Sequence, residues 1–191
     1  MNLKPQDLLV LLKLLAQGDM NWVYSRLATQ LSMSSSEIHA AMKRAYHAGL
    51  MMDKVDTIMP DPKNLEEFII YGVKYAFAAE RGHICYGMPT SYAAKPLCDR
   101  VFYDGNNPPV WPDENCKTQG IAFRPLYPSV PDAARLDVAL YELLVLVDAI
   151  RGGRTRERNQ AIKELKFRFN RYSNQNRLGS VQHVNRRRKT G

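Results

Sequence analysis

No uninterrupted apolar run in this chain approaches the roughly 20 residues needed to cross a bilayer, so no membrane partner is expected. The N-terminus also lacks a basic region followed by an apolar stretch and a small-residue cleavage site, and a cytoplasmic location is expected. Cysteine is scarce: Cys85, Cys98 and Cys116 are odd in number and not closely paired, which excludes a disulfide framework and points to reduced thiols. Structural zinc sites use ligand pairs two to four residues apart, and only His83 with Cys85 approaches that spacing, so no metal is expected. Nucleotide-binding glycine loops, the zinc-protease His-Glu pattern and the hydrolase nucleophile elbow are all missing. Neither an enzyme nor a cofactor is therefore expected. Asp137, Glu142 and Asp148 fall at helical spacing on an otherwise apolar stretch, where a solvated edge or an interface salt bridge is a better reading than acid–base work.

Acidic residues are also thin at one end. The net charge of +8 divides into zero for residues 1–81, −3 for 82–150 and +11 for 151–191. A neutral head with a basic extension would draw sequence-independent affinity for a polyanion from that extension, because neutralised phosphates release counterions. The extension ends in Arg186, Arg187, Arg188 and Lys189, within a segment (172–191) of little apolar content that is expected to be a disordered basic tail.

The informative pattern lies at 23–50. Leu27, Ala28 and Leu31 form one apolar stripe and Ile38, Ala41, Met42 and Ala45 a second, each at the three-to-four spacing of a helix. Between them, Ser34 followed three residues later by Glu37 is a capping box, so the second helix should begin at Ser34. Burying the second stripe turns Ser35, Ser36, His39, Ala40 and Lys43 outward. Hydroxyls can bond donor or acceptor base edges and Lys meets guanine acceptors, the groups a major-groove helix uses. Arg44 and Lys54 are expected to hold phosphates.

On these residues the chain resembles the winged helix-turn-helix regulators of the MarR-like group: Val23 to Leu31 as supporting helix, Ser34 to His47 as recognition helix, and Ala48-Gly49-Leu50-Met51 as the exit into a small wing. The resemblance covers about the first 80 residues and implies a dimeric transcription regulator that binds double-stranded DNA.

Around that pair, a helix is expected over Pro5 to Gln17, with surplus apolar surface to bury against another subunit, and a short strand over Asn21 to Tyr24, with Ser25 as the next cap. Asn64 should cap a helix reaching about Arg81, where Gly82 stops it. Residues 82–131 hold eight of the eleven prolines and many aromatics, so an ordered but irregular segment is expected, with Pro109-Val110-Trp111 and Gly120 to Phe123 as candidate strands. Helices return at Asp132 to Arg151, apolar enough all round to serve as a dimer element, and at Thr155 to Arg171.

The fold class expected is therefore mainly α. It has a DNA-binding winged helix-turn-helix over 1–81, an irregular Pro/aromatic-rich segment with C-terminal helices for dimerisation or a partner over 82–171, and the basic tail over 172–191. A rival reading makes the chain an antitoxin-like or assembly protein that binds another protein through residues 82–151, with DNA binding autoregulatory or absent. The neutral charge of 1–81 favours that rival.

Overall fold

The computed structural model describes residues 2–18, 22–54, 57–100 and 107–187, with side chains as far as 172. Helix α1 (Pro5–Gln17) has the expected bounds: Pro5 opens it, the Asp7 carboxylate accepts the Lys4 amide at 2.9 Å, and Gly18 at φ 69° closes it. Trp22 and Val23 form no strand, and Asn21 lies outside the described residues. Val23 is instead the N-cap of α2 (Tyr24–Leu31), so Ser25 sits inside the helix rather than capping it. Helix α3 (Ser35–His47) leads through Gly49, at φ 71°, into an antiparallel hairpin of β1 (Met51–Lys54) and β2 (Thr57–Pro60). Left-handed backbone at this turn suits glycine.

The next helix differs from the expected one at both ends. Asp61, not Asn64, caps α4 (Pro62–Glu67), which continues through a π-helical turn (Phe68–Gly72) into α5 (Val73–Ala76). The Asn64 side chain instead donates to the Gly49 carbonyl at 2.8 Å. Helix ends at Ala76, and Arg81 begins a strand rather than closing a helix.

That strand corrects the fold class. β3 (Arg81–Pro89) pairs antiparallel with both β4 (Pro109–Pro112) and β5 (Thr118–Phe123), while β4 and β5 pair in parallel, so three strands close on themselves. Among the described residues five strands lie in two small sheets, and the architecture is mixed α/β rather than mainly α. Among the described residues of the middle segment both candidate strands are present, joined by the additional β3, with turns and irregular stretches between them. Closure needs glycine where backbones nearly touch. A Cβ on Gly87 would lie 2.1 Å from the Trp111 carbonyl oxygen, and one on Gly120 2.0 Å from that of Pro108.

The stretch expected as one helix from Asp132 to Arg151 is two: α6 (Val130–Leu136) and α7 (Val138–Gly152), separated at Asp137, whose carboxylate caps α7 at the Leu140 amide. Helix α8 (Thr155–Arg187) then runs 33 residues, so the backbone of 172–187 is helical where a disordered tail is expected. Arg188 and Lys189 lie outside the described residues.

The apolar surplus on α1 and α7 is consumed inside one chain. Helix α7 packs against α1, α5, α6 and α8, and Leu140 and Leu143 to Ile150 are all buried. One hydrophobic cluster runs from Leu8 through Ile38, Ile69, Trp111 and Leu144 to Phe169. Each fully buried Leu or Ile contributes roughly 1.5–3 kcal/mol. Neither helix is left with the bare apolar face from which a dimer is expected. Nor is Asp148 of α7 at a solvated edge: 1% exposed, it accepts from Thr90 Oγ1 (2.8 Å), Trp111 Nε1 (2.6 Å) and Arg151 Nε (2.8 Å), tying helix to closed sheet. No described helix is long and apolar enough to cross a membrane.

Candidate nucleic-acid interface

The geometry of the α2–α3 pair is set by its turn. Ser32 takes left-handed backbone at φ 50°, and the Met33 amide returns to the Ala28 carbonyl at 2.9 Å. Ser34 and Glu37 form the expected capping box: the Glu37 amide donates to Ser34 Oγ at 3.2 Å and the Ser34 amide to Glu37 Oε2 at 2.9 Å. Ile38, Ala41, Met42 and Ala45 are buried, so the opposite face of α3 is fixed in direction. Ser35, Ser36, His39 and Lys43 lie on that face and are exposed, with Ala40 half-buried at its edge. The spacing therefore brings together four of the seven candidate residues on one surface with hydroxyl, imidazole and ammonium groups.

Arg44 does not join them. Its guanidinium turns inward and grips Asp7 of α1 through two bonds, Nε to Oδ2 at 2.8 Å and Nη2 to Oδ1 at 2.5 Å, with Asp7 fully buried. The Asp7 hydrogen bonds hold the guanidinium above its usual range against the opposing effect of burial. A phosphate contact by Arg44 is thus replaced by a structural one. Residue 44 lies three positions beyond Ala41, at the edge of the buried stripe, and the Asp7 carboxylate draws its side chain inward. Lys54 lies at the end of β1, opposite Thr57, and is half-buried. Arg186 and Arg187 sit on the backbone of α8.

Two features at this surface carry no signal in the local sequence. Tyr24 opens α2 exposed, with its ring 5.6 Å from that of His39 and 5.2 Å from that of Trp22, so an aromatic group flanks the polar face. The second is a clasp from the distant segment after β5. Tyr127 donates its hydroxyl to Glu37 Oε1 at 2.6 Å, and Ser129 Oγ donates to the Leu31 carbonyl at 2.6 Å, satisfying an orphan acceptor at the end of α2. Glu37 is held down to about 2, chiefly by the Tyr127 hydroxyl and then by the amide and hydroxyl of Ser34. The same bond raises Tyr127. Tyr46, near the end of α3, donates to Asp53 of β1 at 2.9 Å and anchors the hairpin. Residues 127 and 37 are joined only by the tertiary fold.

Cys85, Cys98 and Cys116 are free thiols, and among the described residues no group of three His, Cys, Asp or Glu side chains is placed to hold a metal ion. No family model, curated protein or solved structure matches this chain.

Proposed function

We propose that this chain is a sequence-specific, double-stranded-DNA-binding transcription regulator in which residues 5–60 act as a winged helix-turn-helix of the MarR-like kind. One observation carries the reading: Ser35, Ser36, His39 and Lys43 stand exposed on one face of a helix capped at Ser34 and pinned at Arg44. Pre-set donors and acceptors on a rigid helix suit base-edge recognition. A two-fold operator would bring two copies together with half-sites about 34–36 Å apart. Selection of bound duplexes from a random pool should enrich one motif, and Lys43→Ala should abolish the enrichment while the protein stays folded. A pool that remains random with folded wild-type protein rejects the reading.

A second reading is an assembly protein that binds another polypeptide. It draws on exposed apolar side chains away from α3: Ile84 and Tyr86 on β3, and Tyr71 and Tyr75 on the π-helical turn and α5. Stoichiometric co-purification from the native host of a partner that protects β3 from hydrogen exchange would favour it.

A further inference from the structure

Residues 151–191 contain only two carboxylates, Glu157 and Glu164, and both turn into the body, each 7% exposed. Glu157 accepts the Arg154 amide at 2.8 Å, capping α8, while Glu164 binds Arg100 and Arg168, each at 2.7 Å. The inward side of the helix is set by Ala161, Leu165 and Phe169, all buried. What remains outward is free of acid. Arg156, Lys163, Lys166 and Arg171 are exposed there, and none has an ion-pair partner among the described residues. Such a charge row is not neutralised locally, so its field reaches solvent undiluted.

The row also has shape. At its start Arg100, Thr155, Arg156, Asn159, Gln160 and Lys163 line a cleft of about 550 Å³, all of them hydrogen-bond donors. Further along, Phe167 is 59% exposed between the cations, with the Arg171 guanidinium 6.0 Å from its ring centre. From Arg156 to Arg171 the helix rises roughly 22 Å at 1.5 Å per residue. A span of several phosphates fits that length. Cations that track a backbone beside an exposed ring are the parts from which sequence-tolerant nucleic-acid grooves are made.

We infer that the outward face of α8 is a nucleic-acid backbone site: the cleft and the cations beyond it bind successive phosphates, and Phe167 stacks on an unpaired base. This surface is separate from α3 and does not depend on whether α3 reads bases. Phosphate could also arrive on a free nucleotide, and the test distinguishes the two.

The test uses the full chain and fluorescence anisotropy with a labelled random-sequence 30-mer, single-stranded and as duplex, titrated from 50 to 200 mM salt. The triple substitution Arg156→Gln, Lys163→Gln, Arg171→Gln should weaken both by at least tenfold. It should also reduce the duplex salt slope by about 2 to 3, at roughly 0.9 for each phosphate no longer neutralised. Replacing the same residues by Arg156→Lys, Lys163→Arg, Arg171→Lys should preserve binding. An equal removal of charge elsewhere, Lys4→Gln, Lys63→Gln, Lys74→Gln, should stay within twofold of wild type. Phe167→Ala should weaken the single strand about tenfold and leave the duplex within twofold. The inference is overturned if the Gln triple binds like wild type, or if the control triple is weakened as much. It is equally overturned if ATP or pyrophosphate binds to the wild type while neither oligonucleotide does. Circular dichroism on every variant confirms that binding is compared between folded proteins.

Discussion

Asp7 and Arg44 show how one buried pair can decide the aim of a whole surface. Asp7 has no exposure and two guanidinium bonds, so removing either partner strands a charge in the interior, at a cost of about 3–5 kcal/mol. Asp7→Ala should lower the urea midpoint accordingly, whereas Ser36→Ala, on the open face, should change stability by no more than about 0.5 kcal/mol. Equilibrium unfolding of both variants checks the contrast. Glu37 makes a pH-dependent case. Its folded value of about 2 lies below the ordinary 4.5, so its contribution to stability is complete above pH 4.5 and is lost as pH falls toward 2. Tyr127→Phe removes the largest cause. The Glu37 carboxyl should then titrate closer to 4.5 in carbon-detected NMR, and the stability gap between variant and wild type should close as pH drops below 4.5.

Among the elements, those whose apolar residues repeat at helical spacing and whose ends carry local signals are legible directly. Leu8, Leu11, Leu12 and Leu15 with Pro5 and Gly18 define α1, and Ser34 with Glu37 defines the start of α3. β3 has no such signal. Five of its first six residues, from Arg81 to Tyr86, are exposed and Cys85 is half-buried, so no two-residue alternation marks a buried face, and Gly82 looks like a helix stop. Its pairing is decided by glycines whose role appears only when strands meet. Gly120→Ala should therefore cost at least about 2 kcal/mol, since its Cβ would strike the Pro108 carbonyl and the backbone must shift. Chemical denaturation followed by Trp111 fluorescence would detect it. Asp137 is similarly opaque: it sits inside an apolar run that reads as one helix, and its two partners, the Leu140 amide and Lys13 at 2.7 Å, appear only in the fold. Arg44 cannot be assigned from spacing alone, since nothing local reveals a carboxylate 37 positions earlier.

Across the whole molecule, charge and core are separated along α8. Among the described side chains its buried packing runs through Leu165 and Phe169 to the half-buried Tyr172, and the sequence that follows carries Arg177, Arg186 and Arg187. Deleting residues 173–191 should leave one cooperative unfolding transition near the wild-type midpoint, because among the described side chains the hydrophobic cluster runs from Leu3 to Tyr172, and the sequence beyond is poor in apolar residues. The same deletion should weaken binding to random duplex and flatten its salt dependence. Calorimetry and anisotropy read the two effects separately. Helix α1 stands at the centre of this molecule for a different reason. Asp7 fastens it to α3 by a buried charge pair, and Lys13 fastens it to the start of α7 by a partly buried one. The Asp7–Arg44 pair thus ties α3 to the same helix that Lys13 ties to α7. On the proposed reading, a helix so tied leaves mismatch with a groove to be taken up by the DNA, and deformable sequences should then be favoured even where no side chain touches them.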